Sequence, residues 1–110
     1  IPEAALGGRL TTLVNVAGVL EGGAVGSAAC GLGNYHANFR GNCQQVFELV
    51  EHAVPHLKAA GVAAGPSIVS VSSVNGQQSF AGCAMYCAAK AALDMFTRCA
   101  ALDLAPDGVR

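Results

Sequence analysis

Residues 10–16 (LTTLVNV) are rich in leucine and β-branched side chains and run directly into Ala17-Gly18. They predict a buried strand closed by a glycine turn. Between positions 19 and 34, glycines alternate with small residues, a pattern of loop or of poorly determined helix. From about residue 42 to residue 58, Val46, Leu49, Val50, Ala53 and Leu57 recur at intervals of three and four, which predicts an amphipathic helix. Pro55 is expected to kink that helix or to end its regular bonding near the last turn. After the breaks at Gly61 and Gly65-Pro66, residues 67–72 (SIVSVS) predict a short second strand with Ile68, Val69 and Val71 buried. Residues 74–80 are polar and read as a loop. Residues 83–105 form a long alanine-rich helical pattern closed by Pro106 and Asp107-Gly108. Its apolar stripe is Leu93, Phe96, Ala100 and Leu104, and its small residues Ala88, Ala89, Ala91 and Ala92 permit close approach of another backbone. Gly108-Val109-Arg110 has the look of a further strand beginning.

Strand, loop, helix, strand, loop, helix is the order of an α/β chain whose strands pair in parallel through right-handed crossovers. Two strands alone leave exposed edges and uncovered faces, so more sheet is expected around this segment. The chain opens on Ile1 rather than Met, which adds to the expectation of a piece of a longer polypeptide. Its 110 residues suffice for one domain and not two.

Composition sharpens this picture. Charged residues are only 12% and hydrophobic ones 53%, about half and somewhat more than the usual shares. Helix faces are therefore expected to bury against further chain or another subunit. The net charge is −1 with no basic patch, so neither nucleic acid nor a membrane is an expected partner. No apolar run reaches the roughly 18–20 residues of a membrane span, and no secretory leader pattern opens the chain, leaving the cytoplasm as the expected location. Cys30, Cys43, Cys83, Cys87 and Cys99 include no C-x-x-C pair and read as reduced, partly buried thiols.

The chemistry sits in the third quarter and beyond. Tyr86 and Lys90 are four residues apart, so on a helix they project from one face. A cation near a phenol favours the phenolate and equips it for proton transfer to and from a substrate oxygen. Ser73, thirteen residues before Tyr86, supplies a hydroxyl that can hold that oxygen and stabilise charge developing on it. A strand-end serine also makes local turn bonds, and Ser72 is adjacent. Lys90 lies among Ala89, Ala91, Ala92 and Leu93, where an unpaired ammonium is costly unless it has a task. Asn15, Ala17 and Gly18 fall at the carboxyl end of the first strand, where open α/β sheets bind ligands.

These motifs resemble those of the short-chain dehydrogenase/reductase family. Asn15-Val16-Ala17-Gly18 is similar to its Asn-Asn-Ala-Gly turn, with Val16 in place of the second Asn. Asn42 stands as the family's catalytic Asn does at a helix start, residues 69–73 resemble the strand ending in the catalytic Ser, and Tyr86 and Lys90 match Tyr-x-x-x-Lys. Asn42 precedes Ser73 by 31 residues, the family's spacing, whereas Asn38 in the same stretch is out of register. The resemblance implies a Rossmann-type, doubly wound parallel sheet in three α/β/α layers, of which residues 1–110 would be the central and catalytic part. The cofactor's glycine-rich loop would precede it and the substrate-covering loop would follow.

The implied activity is hydride transfer between NAD or NADP and a small-molecule carbonyl/alcohol substrate. Asn42, Ser73, Tyr86 and Lys90 would be catalytic, and Asn15, Ala17, Gly18, Tyr86 and Lys90 would touch the cofactor. Tyr86 would be the general acid/base, Lys90 would also bond the nicotinamide ribose, and Asn42 would hold a water linking Lys90 to solvent. A homodimer or homotetramer is implied through the helices beginning near Asn42 and Cys83. Sugar-nucleotide epimerases and dehydratases share the Tyr and Lys, and an inert piece that only associates with a partner chain is the other alternative.

Remaining candidates are weaker. His52 and His56 are spaced for one helix face, but Pro55 intervenes and no third ligand is evident, so no metal is expected. His36 has no visible partner. Gly31-Leu32-Gly33 starts like a dinucleotide fingerprint but lacks the third glycine, and the Gly22, Gly23, Gly26 cluster lacks a following Lys-Ser/Thr. Both are expected to be flexible loop.

Overall fold

The computed structural model describes residues 7–110. Strand β1 (Thr12–Asn15) and strand β2 (Ser67–Ser70) pair in parallel, with Leu13 opposite Ile68 and Asn15 opposite Ser70. Between them the chain forms helix α1 (Leu32–Phe39), a π-helical turn (Arg40–Gln44) and helix α2 (Gln45–Ala60), with no break in helical backbone from one to the next. Helix α3 (Ala84–Leu104) follows β2 after a short 3₁₀ turn (Val74–Gly76). The paired strands and their helical crossover are the α/β arrangement the order of elements implied.

The strands expose why the fold needs more chain. Side chains alternate across a strand, so Leu13 and Ile68 point to one face and Val14 and Val69 to the other. Helices α2 and α3 both cover the first face. Val46, Val50 and Leu93 pack there with Leu13, Val54, Ile68 and Phe96. Beside them Ala53, Leu57 and Val109 gather Leu10 and Leu104. The second face has no cover among the described residues. Val69 and Val71, expected to be buried, are therefore 48% and 46% exposed. Of the three expected layers, two are present among the described residues.

The ladder also continues past β2. The Arg110 amide donates to the Pro66 carbonyl at 2.9 Å, and the Ile68 amide donates to the Arg110 carbonyl at 2.8 Å. That staggered pair is the bonding of a parallel neighbour. The expected strand thus begins at the chain's last residues, on the edge of β2 away from β1.

Three expectations about the central helix are corrected. Asn42 does not open it: helical backbone starts ten residues earlier, at Leu32, and Asn42 lies inside the π turn. Gly31-Leu32-Gly33, expected to be flexible, is the start of that helix. Nor does Pro55 end or visibly interrupt α2, which runs on to Ala60. The buried stripe of Val46, Val50, Ala53 and Leu57 spans the proline on both sides, and packing holds the last turn where propensity would not.

Candidate active site

The site is assembled where the carboxyl end of β1, the π turn and the second turn of α3 meet. Lys90 is 4% exposed, although it is a lysine on a 21-residue helix. Its Nζ lies 5.8 Å from the centroid of the Tyr86 ring, within the range of a cation–π contact. The one ion pair found among the described residues joins Lys58 to Asp107 at the surface, so Lys90 has no carboxylate partner. Above it passes Gly18. A β-carbon at that position would stand 3.2 Å from Lys90 Nζ and 2.9 Å from Asn42 Oδ1. Gly18, Asn42, Lys90 and Tyr86 are thus drawn into one cluster by three separate elements.

Asn42 is fully buried and its side chain is fully engaged. Its Oδ1 accepts from the Val19 amide at 3.1 Å, and its Nδ2 donates to the Val19 carbonyl at 2.7 Å and to the Asn38 carbonyl at 2.8 Å. The π turn shifts the backbone pattern, so that the Gln45 amide donates to the Arg40 carbonyl. The Gly41 carbonyl, which an α-helix would have paired with that amide, takes the Gln45 side-chain amide instead. Gln45 also donates to the Ala17 carbonyl at 3.3 Å, which fixes Ala17 beside the helix.

Asn15 is buried at the end of β1, and its Nδ2 donates to Ser70 Oγ at 3.3 Å, binding the two strands at the edge of the site. Its Oδ1 is buried without a protein partner. Ser73 is turned toward its own loop. It caps the 3₁₀ turn, with its Oγ accepting from the Asn75 amide at 3.1 Å and lying 3.3 Å from Asn75 Oδ1. Asn75 Nδ2 in turn approaches Cys87 Sγ at 3.5 Å, one residue beyond Tyr86. The serine's turn is therefore docked on α3, while its hydroxyl bonds locally.

The spacing argument passed over a second feature. Asn34, Asn38 and Asn42 recur every four residues, and all three are buried. Asn38 Oδ1 accepts from the Glu21 amide at 3.2 Å, and its Nδ2 donates to the Glu21 carbonyl at 3.0 Å and the Asn34 carbonyl at 2.9 Å. Asn34 Nδ2 donates to the carbonyls of Glu21 and Gly22, each at 3.1 Å. Four helical residues rise about 6 Å and two extended residues about 6.6 Å, so helix amides at this interval match alternate residues of an extended strip. The 19–22 segment, expected to be loop, is pinned as though beside a strand. At Gly41 a β-carbon would overlap the Val19 side chain, so only glycine lets the strip lie this close.

Of the thiols, all five are free, and burial pushes Cys43, in the π turn, up from its ordinary value. No group of three metal-ligating side chains occurs among the described residues, and His52 and His56 remain without a third ligand.

A group with ribose hydroxyls and a flat ring fits this arrangement. The Lys90 ammonium has donors to spare, and the bare Cα of Gly18 leaves room beside it. Comparison with known proteins agrees. The model of the short chain dehydrogenase family matches residues 3–110. A 2,5-dichloro-2,5-cyclohexadiene-1,4-diol dehydrogenase of Sphingobium indicum, LinX, is 36% identical over 103 residues, covering 94% of this chain and 39% of its own. A trans-4-hydroxycyclohexanecarboxylate dehydrogenase of Sinomonas cyclohexanicum is 34% identical, with 94% and 38% covered. Among solved structures, a short-chain dehydrogenase/reductase of unknown function from Caenorhabditis elegans, determined with cofactor, aligns with a TM-score of 0.79 at 40% identity, over 94% of this chain and 38% of that one. An NADH-dependent reductase of alginate metabolism, complexed with NAD, aligns at 0.83 with 26% identity, over 93% and 43%. The chain spans about 39% of the length of the first of these curated relatives.

Proposed function

The chain belongs to the short-chain dehydrogenase/reductase family, and from that premise we propose that residues 1–110 are the central, catalytic part of one Rossmann-type domain in an NAD(P)-dependent oxidoreductase. The full-length protein interconverts a carbonyl and an alcohol. A nicotinamide cofactor, when bound, supplies or accepts the hydride. The observation that carries this reading is the placement of Lys90, whose stem is buried and whose ammonium is set over the Tyr86 ring and beside Gly18 with no carboxylate partner among the described residues.

In this reading Tyr86 gives its phenolic proton to the substrate oxygen in reduction and takes it back in oxidation. Ser73 keeps the Asn75 amide on its Oγ and turns its proton from Asn75 Oδ1 to that oxygen. Lys90 donates to the ribose hydroxyls and lies over the Tyr86 ring. Asn15, Ala17 and Gly18 line the cofactor side, and Asn42 fixes Val19 beside them. The relatives are named for a cyclic diol, a cyclic hydroxy acid and, in an Arabidopsis thaliana protein named NADPH-dependent aldehyde reductase 1, an aldehyde. Cyclic secondary alcohols are therefore the first substrate class to test, each with NAD and with NADP. Phe47 and Leu49 of α2 and Met95 and Leu102 of α3 are large, apolar and exposed, which supports self-association of the full-length protein as a dimer or tetramer. Five free thiols support a reducing compartment such as the cytoplasm.

The test is Tyr86→Phe in the full-length protein. Turnover should fall by about 10²–10⁴-fold, while cofactor fluorescence titration should be unchanged. Near-normal turnover in that variant removes Tyr86 from the proton-transfer role and with it this reading.

A further inference from the structure

Residues 19–23 leave the site at one end and return to it at the other. Gly18 touches the space of Lys90. Five residues later the Gly23 amide donates to the Gly82 carbonyl at 2.8 Å, and Gly23 bridges Cys83, directly before the helix that carries Tyr86. Between these ends the strip has almost nothing apolar to hold it, since Leu20 is 58% exposed and Glu21 and Gly22 face solvent. Burial of hydrocarbon therefore cannot fix its path. Side-chain amides do, and the middle one, Asn38, contributes both a donor and an acceptor to a single residue, Glu21.

We propose that Asn38, backed by Asn34, is a positioning residue that holds strip 19–23 as a fixed wall of the nicotinamide site. The strip touches the site through Gly18 and Val19 at one end and Gly23 at the other. Asn42 secures Val19 and the Gly82 carbonyl secures Gly23, but clamps at the two ends leave the residues between them free to bow outward. Asn38 removes that freedom in the middle. Asn34 adds two donations while its own Oδ1 stays buried and unpaired, an uncompensated group tolerated for the sake of the donors. The inference rests on the proposed function, because the wall matters only if a cofactor lies against it.

The experiment uses the full-length protein with Asn38→Leu, which fills a similar volume without the bonds, and Glu21→Pro, which deletes the donated amide from the exposed side. Cofactor binding by the parent is measured first, and its absence overturns both the site reading and this inference. With a parent that binds, both variants should raise the cofactor KM by about tenfold and change kcat by less than about twofold, the scale of losing one or two hydrogen bonds. Amide exchange at Val19 should quicken in both variants, although neither touches its own partner Asn42. A merely structural role lowers the melting temperature and the active fraction without moving KM. Unchanged KM in the folded Glu21→Pro protein, or unchanged Val19 exchange, overturns the positioning role alone.

Discussion

Lys90 carries its Nζ 5.8 Å from the centroid of the Tyr86 ring while the residue is 4% exposed, and no carboxylate among the described residues is paired with it. Stability alone does not favour this placement. A helix that needed only to pack would use leucine or methionine here. Lys90→Met keeps the chain's length and removes the buried charge. In the full-length protein without cofactor it should raise the melting temperature by about 2–4 °C, about 1 kcal/mol in a domain of 150–250 residues. The same variant should lose turnover. Thermal denaturation with and without nicotinamide cofactor checks both halves, since the cofactor should stabilise the parent and not the variant. A lower melting temperature for the variant would mean that the ammonium stabilises the fold by itself.

Gly18 is the close-approach point of the same cluster. Asn42 Oδ1 cannot yield to an added β-carbon without giving up the Val19 amide, whereas the Lys90 side chain can bend away. Gly18→Ala should therefore displace Lys90 first. The expected result is a loss of about 1–3 kcal/mol of stability and weaker cofactor binding, read by denaturant titration and by cofactor fluorescence. Native-like affinity in Gly18→Ala would show that the space beside Lys90 is not used.

How much of this was legible beforehand depended on whether period or context decided each element. Helix α3 was read almost to its ends, because its alanine-rich run and the closing Pro106 are local signals. The parallel pairing followed from element order alone. The start of the central helix was not readable. Leu32 to Phe39 contains two asparagines and a glycine, all poor helix formers. Their side chains are stabilised by contact with strip 19–22, a tertiary cause that no propensity carries. The signal that was present, asparagine at every fourth position, is a polar periodicity. A search for apolar stripes passes over it. Val69 and Val71 were misplaced for a related reason, since burial depends on which sheet face has cover, not on hydrophobicity. The spacing of Ser73, Tyr86 and Lys90 is plain in the sequence, but the Asn75 bond that holds Ser73 is not.

Cys43 offers a check on the π turn itself. Burial raises its thiol from the ordinary value, so at a given pH less of it is thiolate, the form that reacts with iodoacetamide. In the folded protein its labelling at pH 8 should be several-fold slower than in urea, by an order-of-magnitude estimate. The deficit should shrink as the pH climbs, because a raised thiol keeps gaining thiolate where an ordinary one is already converted. Mass spectrometry of the labelled peptide reads both rates. Equal rates at pH 8 would place Cys43 in an open turn.

Ser72 and Ser73 are neighbours whose hydrogen bonding differs. Ser73 Oγ accepts from the Asn75 amide and sits within reach of Asn75 Oδ1, so its oxygen is held in place while its proton can be handed to another acceptor. Such a hydroxyl is pre-oriented for a substrate oxygen, and the amide bond to Oγ strengthens it as a donor. Ser72 Oγ is buried with no partner among the described residues. Removing an unpaired hydroxyl relieves a desolvation cost, so Ser72→Ala should leave stability equal or slightly higher and turnover within about twofold. Ser73→Ala should cost about 10²–10³-fold in kcat, the scale of losing one donor to a developing oxyanion, with little change in cofactor affinity. Steady-state kinetics on the two single variants and on Ser73→Thr, which restores a hydroxyl, complete the comparison. A larger kcat loss in Ser72→Ala than in Ser73→Ala would transfer the substrate-holding role to Ser72 and break the register that links it to Tyr86.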